Sequence, residues 1–436
     1  MFERYHTMKH TLSVVLLILS FTIARAQDTL TVGKAVERVL QTHPALLQAR
    51  ASVVASEARS EQTESARYPE LASEATYTRI GPVPAFSFPV FGTIVLAPAD
   101  NYDAHVSARY TVFDFGKTGA DIDLSRSRIQ SVRDAADLTE TNLSLQTVRT
   151  FYAVVYLRKS AQVQIEQIDA LNRHLSVSRK RVADGSATNF DVLTTEVRVA
   201  SAQNQAVEIR NSLQKQEAIL RQLLGLPAGD SLVVRGAFDR IGVSLNTDSL
   251  TALALSARPE MRAAHDAETS AHLQEKVSSV GNMPALKVSA GWGVKNGFEP
   301  NIDAIRGNWY AAVKAEIPLL NGGRTAHQEE ESRALVEAEQ AHRRDVERFV
   351  RSDVEQSIAD VQAAVEKVRV TEVQLNQAED AVSIARTRYE TGSITNLDLL
   401  DAETAESASR LSNLQALYRL VISKYELDRA VGTPVR

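Results

Sequence analysis

The chain of 436 residues contains no cysteine. That excludes disulfides, thiolate metal sites, a cysteine nucleophile and a lipid anchor attached through a thioether. Aromatic residues make up only 6 % of the chain, too few for a large globular core. The net charge is −5, so the overall basic footprint of a nucleic-acid binder is missing. No Gly-rich phosphate loop or catalytic-triad signature occurs, and the nine histidines show no metal-ligand spacing. An enzyme, a cofactor or a metal centre therefore has no support in the sequence. After residue 26 no stretch approaches the roughly 18 apolar residues of a membrane-spanning helix.

The first 26 residues read as a secretory signal. Lys9 and His10 form a polar start, and Leu12 to Ile23 form an apolar run too short to span a bilayer. Ala24-Arg25-Ala26 fits a small-x-small cleavage site, with Gln27 as the first mature residue. The expected product is an exported, acidic protein.

The mature chain is written twice. Arg181-x3-Gly185-x5-Asp191 returns as Arg388-x3-Gly392-x5-Asp398, an offset of 207 residues. Gly225-Leu226-Pro227 returns as Gly432-Thr433-Pro434 with the same offset. Upstream the offset is 215: His43-Pro44 matches Arg258-Pro259, and Pro69-x-Leu71 matches Pro284-x-Leu286. The boundaries are a first repeat over 27–229 and a second over 230–436. A duplication of this length makes each copy one structural unit, so function belongs where the copies meet or differ.

Each repeat holds two segments with a period of two. In 101–113, Tyr102, Ala104, Val106, Ala108 and Tyr110 alternate with Asp103, His105, Ser107 and Arg109. In 308–319, Trp309, Ala311, Val313 and Ala315 alternate with Tyr310, Ala312, Lys314 and Glu316. The segments 69–79 and 284–295 keep the same parity, with Tyr77 corresponding to Trp292. These are strands with one apolar and one polar face. Their length suits tilted transmembrane strands, and Tyr77, Tyr102, Tyr110, Trp292 and Trp309 near the strand ends fit an interfacial aromatic girdle. An ordinary half-buried sheet is the competing reading of any one strand. Four strands cannot enclose a lumen, and lipid does not tolerate open edges, so the membrane reading requires several subunits to share one barrel. The loop 80–100 carries Phe86, Phe88 and Phe91 among four prolines. These rings could cap a pore or meet an outside partner; packing the loop itself is the favoured reading.

From 117 and from 324 the pattern turns helical. Each run continues for about 65 residues, a rod of roughly 100 Å. Val354, Val361, Val368, Leu375, Val382 and Tyr389 recur every seven residues, with small residues three positions after the first five. A strict heptad specifies supercoiled helix packing. Asp184-Gly185-Ser186 and Thr391-Gly392-Ser393 end the rods, and return helices complete hairpins over 117–225 and 324–432. Shorter helices, about Val32 to Arg67 and Leu250 to Val280, precede the strands, and Pro227 to Leu250 reads as a small mixed linker.

Taken together, the duplicated halves, the paired strands, the long helices and the Arg-x3-Gly-x5-Asp turns resemble the TolC-like outer membrane efflux proteins over essentially the whole mature chain. The fold class is then mainly α with membrane β: a periplasmic α-barrel of coiled-coil hairpins, and four strands per subunit in a shared twelve-stranded β-barrel. The resemblance implies a homotrimer in outer-membrane lipid, reaching into the periplasm. Its partners would be a periplasmic adaptor protein and an inner-membrane RND or ABC transporter, and its task that of a passive exit duct for efflux or type I secretion. It implies a closing constriction made by Tyr389, Asp398 and Asp401, and an adaptor surface shaped by Arg181, Gly185, Asp191, Arg388 and Gly392. Asp398 and Asp401 stand at i, i+3 on the return helix, so six carboxylates would ring the axis of a trimer. The alternative for Asp398, as for Asp191, is stabilisation of a helix start. The family pattern has an arginine two residues after the second turn glycine, where this chain has Ile394, so the closing ion pairs must differ. The competing function is a non-channel periplasmic coiled-coil adaptor or scaffold. That would need one hairpin and no amphipathic strands.

Overall fold

The computed structural model describes residues 29–89, 92–238 and 246–435. The signal segment 1–26 and Phe91 lie outside the described residues. In chain order the elements are α1 (Val32–Thr42), α2 (Pro44–Glu64), a 3-10 turn (Ser65–Arg67), β1 (Glu70–Arg79), β2 (Ala85–Phe88), β3 (Gly92–Val95), β4 (Asp100–Phe113), α3 (Lys117–Ala183) and α4 (Asn189–Leu223). The second half contributes α5 (Thr247–Ala257), α6 (Pro259–Ser279), β5 (Ala285–Lys295), β6 (Arg306–Glu316), α7 (Arg324–Glu390) and α8 (Asn396–Ala430).

Three boundaries differ from the sequence expectation. The helix expected over Val32 to Arg67 is two helices, because Pro44 drives His43 to an extended ψ of 126° and itself becomes the first residue of α2. Arg258-Pro259 splits α5 from α6 in the same way, with ψ 133° at Arg258. The last strand stops at Glu316 rather than near 319, just before Ile317-Pro318, since proline cannot donate to the ladder. The loop 80–100 also holds a small hairpin, β2–β3. Its Phe86 and Phe88 are exposed, so they do not pack the loop as expected.

The four long strands form one antiparallel sheet in the order β1-β4-β5-β6. The central pair, β4 with β5, joins the two halves. Directly opposed residues share a face, and the register aligns every apolar set. Leu71 faces Ala108, Val106 faces Trp292, Trp292 faces Trp309, and Val288 faces Val313. Much of that face is open: Trp309 is 75 % and Val313 72 % exposed. On the opposite face Lys287 pairs with Glu316 at 3.0 Å and Lys295 with Asp103 at 3.3 Å. Gly293 lies against the backbone of β4, where a Cβ would come within 2.1 Å of the Ala104 carbonyl oxygen, so a side chain there would push the two strands apart. Among the described residues both outer strands, β1 and β6, keep an unpaired edge.

Below the sheet, α3 pairs with α4 and α7 with α8 as two long hairpins. The heptad side chains form the seam: Val354, Val361, Val368 and Val382 are buried on α7, Val354 and Val361 packing with Leu427 and Ala430 of α8 and with Ala254 of α5, and Val368 with Ala416 and Leu420 of α8. Small partners let the backbones approach, and polar cross-links such as Gln374 to Ser409 fix the register. The shorter helices run beside the long ones. α2 lies on α3, with Arg126 and Arg133 held by Glu64 and Glu57. α6 lies between α7 and α3, reaching Arg343 through Glu268 and Asp134 through Arg262. Arg258, fully buried, ties α6 to α7 through Asp353 at 2.6 Å and keeps Glu260 at 2.7 Å. Burial opposes ionisation of Glu260, but the Arg258 bonds prevail and hold its carboxyl below the ordinary range.

Candidate functional site at the helical tip

Each hairpin turns at a glycine that only a left-handed backbone satisfies. Gly185 has φ +73° and Gly392 φ +74°. Their amides reach Val182 and Tyr389, and the next amides, of Ser186 and Ser393, reach the carbonyls of Arg181 and Arg388 at 2.8 Å. This pair of bonds closes the end of a helix without further partners. The return helices begin with identical capping boxes. Asp191 Oδ2 accepts from Thr188 N at 2.9 Å, and Asp398 Oδ2 accepts from Thr395 N at 2.9 Å and from its hydroxyl at 2.6 Å. The Thr395 bonds hold the Asp398 carboxyl below its ordinary value, so it is ionised throughout the neutral range. Asp398 thus has the same helix-starting task as Asp191.

Beyond these shared turns the copies diverge. Tyr389, where the first repeat has Val182, is buried with Ala385, Leu399 and Ile394. Ile394, the departure from the family pattern, is therefore part of an apolar cluster. The Arg181 guanidinium lies over the Tyr389 ring at 4.4 Å, and the His174 ring is 5.2 Å from it. So the structure brings Arg181 of the first tip onto Tyr389 of the second. Asp401 is bound to Arg198 on α4 at 2.7 Å, whereas Asp398 is engaged by its own cap. The two carboxylates share no partner, and both are exposed. Arg388 is exposed at the second turn.

Three residues of this junction escaped the sequence reading: His174, Arg198 and Asn396. Asn396 is buried at the first position of α8. Its Oδ1 meets His174 Nε2 at 2.5 Å, and its Nδ2 donates to the Asp191 carbonyl at 3.2 Å and to Thr195 Oγ1 at 3.4 Å. One amide therefore joins the second hairpin to both helices of the first. The signal available was asymmetry under the 207 offset: His174 corresponds to Ala381 and Arg198 to Ala405. Asn189, the counterpart of Asn396, is exposed.

The girdle candidates also separate by level. Tyr77 and Tyr102 are opposed in the register with rings 5.3 Å apart, and with Trp292 and Trp309 they lie toward the loop end of the sheet. Tyr110 lies toward the helices, near exposed Phe113, Phe115 and Tyr68, none of which was expected in the girdle. Among the described residues no helix is long and apolar enough to cross a membrane, and no group of three or more acidic, His or Cys side chains could hold a metal.

Comparison with known proteins agrees with this architecture. The family model described as "Outer membrane efflux protein" matches twice, over residues 35–226 and 250–433. The pyoverdine export outer membrane protein OpmQ of Pseudomonas aeruginosa is 25 % identical over 76 % of this chain and 72 % of its own. The outer membrane efflux protein BepC of Brucella suis is 23 % identical over 95 % of this chain and 88 % of its own. The outer membrane channel CmeC of Campylobacter jejuni has the same fold, with a TM-score of 0.81 at 14 % identity, over 92 % of this chain and 85 % of that one.

Proposed function

This chain belongs to the outer membrane efflux protein family, and from that premise we propose that three copies form one passive exit duct across the outer membrane and periplasm. Cargo enters from an inner-membrane pump, of the RND or ABC kind, through a periplasmic adaptor. The sequence carries no nucleotide-binding loop, and in this reading the pump supplies the transport energy.

The observation that carries the reading is an open sheet with an exposed apolar face. In lipid, β1 and β6 must each find a partner. The repeat indicates which. β4 of the first half pairs with β5 of the second, so the equivalent bond joins β6 to β1 of the next copy. Three copies give twelve strands, the number the resemblance implies, within the size range of closed membrane barrels. The helices support the same closure. α8 packs on α3 and buries Leu400 completely, while its counterpart Leu193 on α4 is 60 % exposed. A neighbouring α7 would cover it. The single-chain periplasmic scaffold reading leaves this apolar sheet and this helix face uncovered.

Within the duct, Tyr77, Tyr102, Trp292 and Trp309 form the outer aromatic girdle, and Tyr110 with Tyr68 and Phe113 the periplasmic one. Tyr389, Asp398 and Asp401 form the closing constriction. Arg181, Gly185, Asp191, Arg388 and Gly392 shape the turns presented to the adaptor. The test is the mass of the purified mature protein in detergent, with its conductance in a planar bilayer. Trimer mass with a small, cation-selective conductance is expected. A monomer without conductance would refute the shared barrel and restore the periplasmic scaffold.

A further inference from the structure

Asp134 on α3 is 1 % exposed. Its Oδ1 accepts from Arg262 Nε on α6 at 3.2 Å. Its Oδ2 has no donor. Asp266 stands one helical turn beyond Arg262 on the same face of α6, so the face that Arg262 fastens to Asp134 also turns the partly buried Asp266 carboxyl toward it. Two ionised carboxylates present only acceptors to one another, so a buried oxygen in this position is costly unless one of the pair carries a proton.

The surroundings do not supply another donor. Arg262 spends its second arm on Asp137 at 2.5 Å. His265 stands beside Asp266 and its charge acts in the opposite sense to that of Asp134. On the flanking helices, Arg133 is held by Glu57 of α2 and Arg343 of α7 is held by Glu268. The repeat isolates the feature further. The counterparts of Asp134, Asp266 and Arg262 are Ala341, Ala51 and Leu47. The carboxyl pair thus belongs only to the junction between the two halves of one chain.

We propose that Asp134 and Asp266 form a proton-binding site that fastens α3 to α6. One proton shared between Asp134 Oδ2 and the Asp266 carboxyl closes the contact, and its loss sets two negative charges against each other. A divalent cation fits less well, because it requires more oxygen ligands than two carboxylates provide and Arg262 already holds one of them. The two halves of the chain therefore have a middle fastening whose strength follows periplasmic pH, between the pH-independent ladder of β4–β5 and the Asn396 contact at the tip.

Burial and the Asp134 charge push the Asp266 carboxyl up to about 6 from an ordinary 3.8. Stabilisation by a raised acid is complete below the ordinary value, fades as pH rises and is gone above the folded value. The test is hydrogen exchange of α6 in the full chain in detergent, from pH 4 to pH 7, corrected for intrinsic exchange rates. The opening constant should rise up to about tenfold per pH unit between roughly 4 and 6 and then level off. Asp266→Asn, which cannot ionise and keeps a donor, should remove this dependence and protect α6 at pH 7. Asp134→Asn should do the same from the other side, which keeps the test valid if one variant fails to fold. An unchanged pH slope in the variants overturns the proposal. So does protection of wild-type α6 by millimolar magnesium at pH 7 that Asp266→Asn abolishes, since that would make the ligand a metal ion.

Discussion

Replacing Asn396 by alanine should open the tip. Asn396 is buried, so its removal leaves its partners without a bond as long as the hairpins stay joined. Its two best bonds are the 2.5 Å contact with His174 and the 3.2 Å bond to the Asp191 carbonyl; those to Thr194 and Thr195, at 3.5 and 3.4 Å, are too long to add much. At about 1 kcal/mol each, the loss is about 2 kcal/mol. That corresponds to roughly thirtyfold in the balance between joined and parted hairpins. Tyr389 and Arg181 remain stacked but lose the amide that sets their distance. The assay is the fraction of time a single channel spends open in a planar bilayer. Asn396→Ala should raise it by about thirtyfold if the joined hairpins are the closed state. Asn189→Ala is the internal control: it has the same place in the other repeat, is exposed and faces no histidine, and should change opening less than about threefold. If Asn396→Ala stays within threefold of wild type, or if Asn189→Ala matches it, this junction does not hold the tip shut.

Asp353→Ala should destabilise the helical body by about 3 kcal/mol, because it strips a carboxylate from fully buried Arg258 and from Arg429 while Glu260 remains; a loss below about 1 kcal/mol in denaturant unfolding would contradict this. Removing both Asp398 and Asp401, as alanines, should weaken the cation preference of single channels, and unchanged selectivity would take these carboxylates away from the pore. Thr188→Ala and Thr395→Ala each remove the same cap and should cost about 1 kcal/mol apiece. A large inequality between them in thermal unfolding would mean that one turn is held by more than its own helix start.

Local periodicity carried most of the architecture. The parity of Tyr102 to Tyr110 and of Trp309 to Ala315 is a property of neighbouring residues in one strand, so it could be read before any pairing was known. The same holds for the heptad from Val354 to Tyr389 and for the turn glycines, whose positive φ follows from needing no Cβ. Asp398 was ambiguous for a physical reason. A carboxylate three residues into a helix can serve the helix or a pore, and its sequence position is the same in either case. The structure gives it a cap bond identical to that of Asp191 and gives Asp401 an ion pair with Arg198, and it leaves both carboxylates exposed, so serving the helix and facing a pore are compatible. The break at His43-Pro44 was legible in retrospect, since proline restricts the residue before it. The exposure of Phe86 and Phe88 was not, because their surroundings depend on how β2 and β3 pair.

The sequence by itself determined that the chain is a duplicated unit of amphipathic strands and very long helices, ended by two matched turns. Those are decided by interactions within a few residues: alternation across a strand, recurrence along a helix, a missing side chain at a turn. Only the tertiary structure decided which of the two copies' residues meet. It placed His174 on Asn396, Arg181 on Tyr389, Arg198 on Asp401, and Asp134 against Asp266, pairs far apart in the chain. Such contacts depend on how two rods lie side by side, and nothing in either rod's own periodicity encodes the offset between them.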